Sequence, residues 1–143
     1  MGAMIDTSDV VKEWLVVEGT GLHTRVGTHV ATPVAPAGFN DTDMSAAAAI
    51  VFHPASEQVH PTAVDKNDNI YVFKCYGGSS KYSDARAVFR ALVDRLHGVT
   101  GGETASGRIE RSDLISGQMG PPEPGTTRPV HISQFQIMIT GET

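Results

Sequence analysis

A chain of 143 residues with a formal net charge of −5, 40% hydrophobic and 19% charged residues, fits one domain that buries about 70% of its unfolded surface. No Lys/Arg run exists, which argues against a grip on nucleic acid by phosphate neutralisation, and no apolar run approaches the ~20 residues of a membrane-spanning helix. Cys75 is the single cysteine, so an intrachain disulfide is impossible; the opening MGAMID has neither the charged-then-apolar order of a secretion signal nor the Ser/Thr that a Met-Gly acylation motif takes at Asp6.

Asp6, Thr7 and Ser8 offer N-cap acceptors. Val10, Val11, Trp14 and Leu15 then fall on one helical stripe, and Gly19 closes it. Gly19–Gly27 reads as a turn or short second helix carrying Leu22 and Val26. Thr28–Val34 is β-branched and predicts a first strand, ended by Pro33 and Pro36. Ala35–Asp43 is a loop by composition. From about Ala48, Ile50, Val51 and Phe52 predict a strand that Pro54 stops, and Ala55–Asn69 predicts a polar excursion with its tip at Asp65–Asp68. Ile70–Tyr76 is the plainest strand, with Tyr71, Phe73 and Cys75 on one face and Ile70, Val72, Lys74 and Tyr76 on the other. Both faces are largely apolar, which sets this strand at the sheet centre or its second face against another subunit.

From Ser83 to His97, Ala85, Val88, Phe89, Leu92 and Leu96 recur at helical spacing. Asp84, Arg86, Arg90 and Asp94 make the polar face, with Arg90 and Asp94 spaced for an i,i+4 pair; Ser83 caps the start and Gly98 the end. Gly101–Gly107 is a turn. Gly107–Ile115 alternates as an exposed or edge strand. Ser116–Thr127, rich in Gly and Pro, is a loop. Pro129–Thr140 is the last strand, with Phe135, Ile137 and Ile139 inward and Gln134 and Gln136 outward. The expected fold is a single α+β domain over 1–143: a mixed, mostly antiparallel sheet of four to five strands packed by two helices, in the order α-β-β-β-α-β-β.

The candidate chemistry is sparse. His23, His29, His53, His60, His97 and His131 are scattered, without an H-x-x-x-H pair or a cysteine partner, so neither a metal nor another cofactor is expected; His53 and His60 flank a loop and are the two that could converge. Cys75 alternates with Tyr71 and Phe73 on the core face, where a thiol is inert. Gly77-Gly78-Ser79-Ser80 lacks the spacing of a phosphate loop and reads as a tight strand-to-helix turn. Glu110 and Asp113 fall on opposite faces of a strand, a poor start for a carboxylate pair. No enzyme is expected. The long polar connections exceed the usual ~4–6 residues and are expected to carry partner contacts, at Phe39, Asp41, Asp43, Met44, Glu57, Asp65 and Asp68 and, later, at Met119 and Arg128.

The ordered pattern is specific enough for a comparison. A helix ending at Trp14-Leu15 is followed by TRVGTHVATPVAP, the apolar strand Ile70–Tyr76, the helix YSDARAVFRALVDRLHG, the strand GRIERSDLI and the closing RPVHISQFQIMI. Over most of its length this resembles the tail-completion (tail terminator) family of long-tailed bacteriophages. The strand at Ile70–Tyr76, the helix start at Tyr82–Ala85 and the helix end at Leu96–Gly98 carry the likeness; Ala46–Ala49, in place of a Pro-led strand start, and the long Ala55–Asn69 stretch depart from it. The resemblance implies helices packed on a mixed sheet and a homo-oligomeric ring, usually a hexamer. That ring would cap the tail tube, join it to the head completion or connector protein and let viral DNA pass without specific binding. It further implies a place in the virion, after assembly in the bacterial host cytoplasm, and no membrane. Asp41, Asp43, Asp65 and Asp68 would then line a lumen that repels phosphate. Two other readings stay open: a different neck or head-tail connector protein, and a small α+β ligand-binding domain or enzyme using the His53/His60 region.

Overall fold

Apolar alternation in the second half of the chain builds the centre of a single sheet. A computed structural model describes residues 7–27, 30–31, 48–56, 59–60, 63–78, 81–120 and 129–141. Within them the elements are α1 (Thr7–Leu15), α2 (Gly21–Val26), β1 (Val30–Ala31), β2 (Ala49–Ser56), β3 (Val59–His60), β4 (Ala63–Tyr76), α3 (Tyr82–Leu96), β5 (Gly102–Glu103), β6 (Gly107–Gly120) and β7 (Val130–Gly141). The strands lie in the order β1-β2-β4-β7-β6-β5, with β3 beside β4. Only β1 and β2 pair in parallel; the other described pairings are antiparallel. The expected α+β architecture is therefore present. Four long strands form its body, and the two-residue strands β1, β3 and β5 are additions to it.

One face of the sheet carries the core. Ile50, Phe52, Tyr71, Phe73, Cys75, Phe135, Ile137 and Ile139 are buried there and meet Val10, Val11 and Leu15 of α1, Leu22 and Val26 of α2, and Val88, Leu92 and Leu96 of α3. Phe73 is the aromatic hub: it stacks on Phe52 at 5.3 Å between ring centroids and meets Phe135 edge-on at 5.3 Å. Burial of each such side chain is worth about 1.5–3 kcal/mol, so this face supplies most of the apolar stabilisation. β4 is central, as its two apolar faces suggested.

Several local expectations change. Pro54 does not end β2, which runs on to Ser56 with Pro54 opposite Tyr71. β1 reaches only Ile50 and Val51, so among the described residues Pro54 has no strand on its outer side, and an edge position is where a strand tolerates proline. Residues 63–69, expected within a polar excursion, are instead the first half of β4. Lys66 through Asn69 pair with Thr140 through Ile137, and such pairing satisfies a polar backbone as well as an apolar one. Likewise Ser116–Gly120, expected as loop, continues β6 against β7.

α3 starts at Tyr82, with Lys81 at the N-cap and no side-chain cap bond, rather than at a capping Ser83. Its exit matches expectation: Gly98 takes φ +78°, a conformation glycine adopts without steric penalty. The Gly98 N–H then donates to the Ser112 carbonyl at 2.8 Å, and the Ser112 N–H to the Val99 carbonyl at 3.1 Å, which sews the end of α3 to β6. The short-helix option for Gly19–Gly27 is realised as α2, where the Thr20 hydroxyl accepts from the His23 N–H at 3.1 Å.

Candidate interaction site

Because all three described helices pack on one side, the opposite sheet face is lined by alternate residues of β2, β4, β7 and β6. At one end Ala49, Val51, Tyr76 and Val130 form a second buried apolar cluster with Ile132 against it. Moving along the strands, His53, Val72 and Gln134 share one register row, and Ile70, Gln136 and Asp113 the next. Met138 is 36% exposed and Ile115 48% exposed. Two bulges in β6, between Ile109 and Arg111 and between Leu114 and Ser116, re-aim its side chains. The first overturns one expectation. Glu110 accepts from the Thr140 hydroxyl at 3.0 Å, and Asp113 stands opposite Gln136, so both carboxylates lie on this outer face. Neither is poised for acid–base work: Arg108 lies 3.5 Å from Glu110, and Arg111 donates to Asp113 at 2.7 Å. Asp68 accepts from the Gln136 amide at 3.1 and 3.3 Å and, with Arg111, Asp113, Gln136 and Met138, lines a shallow concavity of about 210 Å³.

A larger groove, about 700 Å³, lies on the helical side between α2 and α3. Arg25 comes from α2; Arg86, Arg90, Asp94 and Arg95 come from α3, with Ala87 and Ala91 between them. Arg95 is held rigidly: its Nε donates to the Trp14 carbonyl at 2.9 Å, Trp14 Nε1 donates to the Arg95 carbonyl at 3.1 Å, and the guanidinium sits 3.7 Å from the indole centroid. This clamp joins α1 to α3 and accounts for the half-buried Trp14. The i,i+4 pair expected between Arg90 and Asp94 does not form; among the described residues neither side chain takes part in an ion pair, and the ion pairs there involve Arg108 and Arg111.

Where α3 crosses β7, Phe89 is half-buried, not part of the buried stripe of Ala85, Val88, Leu92 and Leu96. It stacks on His131 with centroids 3.9 Å apart and planes 13° apart. Gly117 makes room for this pair: a Cβ there would stand 2.9 Å from Phe89 Cζ and 3.2 Å from His131 Cε1. Burial, aided by the positive charge of Arg86, holds the His131 pKa below its ordinary value. Sequence reading missed this pair; the one hint was a glycine inside what proved to be a strand. Burial alone pushes the Cys75 thiol well up, in keeping with an inert core thiol. His53 is half-buried on the outer face, its ring Nδ1 lying 3.3 Å from the Pro54 carbonyl oxygen. Among the described residues no three His, Cys, Asp or Glu converge as metal ligands, and none of the described helices is long and apolar enough to cross a membrane.

Of the residues expected to carry partner contacts, three are among the described residues. Phe39, Asp41, Asp43, Met44, Glu57 and Arg128 lie outside the described residues. Asp65 is not at a loop tip but within β4, Asp68 is on the outer sheet face, and Met119 is within β6 opposite His131.

The fold and these surfaces define a small α+β domain with its helices on one face of a mainly antiparallel sheet and a face of mixed polarity opposite. No protein-family model matches the chain, and no curated protein does. Among solved structures, a chain from the virion of the native gene transfer agent (GTA) particle superposes with a TM-score of 0.60 at 18% identity, covering 92% of both chains. At that identity the likeness is one of fold.

Proposed function

We propose that this protein is a structural subunit of a phage-like virion and not an enzyme. The observation that carries this reading is the fold shared over 92% of both chains with a component of a gene transfer agent virion. The site chemistry is compatible: the single thiol is buried and the outer-face carboxylates are engaged by Arg108 and Arg111. Within that class, the pattern shared with tail-completion proteins favours a tail terminator. Copies would form a ring, with six subunits the natural number for that family, at the head-proximal end of the tail tube. The ring would contact the tail-tube protein on one side and the head completion or connector protein on the other, and pass DNA through its lumen. Another neck or connector protein of related fold is the second reading, favoured by the fact that the structural likeness is to a virion component and not to a named tail part.

The test is assembly. Purified protein is mixed with the tail-tube protein of the same particle and imaged by negative-stain electron microscopy. Rings seated on tube ends are expected. Single subunits at high concentration, with bare tube ends after mixing, would overturn the tail-terminator reading.

A further inference from the structure

We propose that the arginine groove between α2 and α3 is a docking site for a second copy of this chain, and that it takes the acidic stretch around Asp41 and Asp43. The inference deepens the assembly reading above and rests on it.

The chain is segregated in charge. It has 11 Lys and Arg against 16 Asp and Glu, yet four of its arginines line one groove in which, among the described residues, Asp94 is the single carboxylate. Arg25, Arg86 and Arg90 are exposed, and among the described residues none of the three has an ion-pair partner. Arg86 also lies close enough to His131 to add, after burial, to the lowering of its pKa. Ala87 and Ala91 leave room between the guanidinium groups, and the Trp14 clamp fixes Arg95 at one end. Arginine forks are suited to paired carboxylates.

The complementary partner is in the same sequence. From Gly27 through Asp65 there is no Lys or Arg, while Asp41, Asp43, Glu57 and Asp65 are all acidic. In a chain with a net charge of −5, copies repel one another on average, and a groove lined by four arginines favours contact with an acidic stretch of the next copy. Such a contact uses two different surfaces. It is therefore head-to-tail, and closes into a ring or runs on as a filament, where a symmetric dimer would not. Duplex DNA is the competing occupant, but the net charge of −5 and the lack of a Lys/Arg run oppose an extended phosphate backbone.

The experiment measures self-association by sedimentation velocity across a concentration series, in low salt and with added NaCl. The full chain is compared with Arg86→Glu/Arg90→Glu, with Asp41→Lys/Asp43→Lys, and with a mixture of the two variants. Both substituted pairs are exposed or polar, and circular dichroism and melting check that each variant folds. The wild-type chain should associate and weaken as NaCl passes ~0.15 M, where the screening length is about 8 Å. Each variant alone should associate at least about tenfold more weakly, and the mixture should regain association because reversed grooves now face reversed acids. Unchanged association of Arg86→Glu/Arg90→Glu, no recovery in the mixture, or binding of a labelled DNA duplex in place of self-association would overturn the proposal. Rings that persist in Arg86→Glu/Arg90→Glu would remove the groove while leaving the assembly reading intact; a wild-type chain that stays a single subunit, alone and with tail tubes, would remove both.

Discussion

Gly77→Ala adds one methyl group where β4 hands over to α3, and the structure allows it no room. A Cβ at Gly77 would lie 2.5 Å from Asp84 Cβ and 2.6 Å from both the Asp84 carbonyl carbon and the Ala85 nitrogen. Non-bonded heavy atoms prefer about 3.5–4.0 Å, so the overlap is roughly 1 Å against backbone, which cannot rotate away. Gly77 does not have positive φ, so the penalty is steric and not conformational. Relief requires the first turn of α3 to lift from the sheet, loosening buried Ala85 and Val88. Overpacking of this kind costs about 1–3 kcal/mol, occasionally more; with backbone as the obstacle, about 3 kcal/mol is expected. At a urea slope of ~1–3 kcal/mol/M, the unfolding midpoint should fall by about 1–3 M. Gly21→Ala is the control. It is exposed, helical and free of any atom within 4 Å of the added Cβ, and should be neutral or stabilising by up to about 1 kcal/mol. If Gly77→Ala unfolds within ~0.3 M of wild type, on the same urea slope, α3 does not approach β4 as described and the tight-turn argument fails.

Further outcomes follow from the packing and the ionisable groups. Phe89→Ala removes a half-buried ring, so it should cost about 1–2 kcal/mol in urea unfolding, below the ~3–5 of a fully buried phenylalanine; a loss above 4 would place Phe89 in the sealed core after all. In the same variant, NMR titration should find His131 closer to its ordinary value of about 6.5, since its cover is gone; no movement would show that the stack does not shield it. With its folded pKa lowered, His131 resists protonation in the native state, so wild-type stability should decline as pH drops below about 6.5. Glu13 is opposed by burial, but bonds from the Ser106 hydroxyl and N–H outweigh that and hold its pKa down. Its contribution should be intact above ordinary carboxylate pH, about 4.3, and vanish as pH falls through the lowered value. The stability gap between wild type and Glu13→Gln should then be larger at pH 7 than at pH 3, and a gap that widens in acid would contradict the assignment. Cys75 should resist a thiol reagent in native protein and react on unfolding; rapid native labelling would mean that the core face of β4 opens.

What the sequence determined by itself was whatever depends on a short period. The apolar stripe of α1, the α3 stripe at Ala85, Val88, Leu92 and Leu96, the faces of Ile70–Tyr76 and the inward set Phe135, Ile137 and Ile139 were all readable, because side-chain direction repeats every few residues and burial selects one direction. The tertiary structure decided whatever needs a distant partner. Polar residues 66–69 become strand because β7 offers them a ladder at Ile137–Thr140. Gly117 stays in a strand because Phe89 and His131 fill the space a side chain would take. Glu110 and Asp113 share a face because a bulge shifts the register between them. Arg25 meets Arg86 and Arg90 only because two helices pack side by side; nothing in the local pattern around any one of them announces a groove.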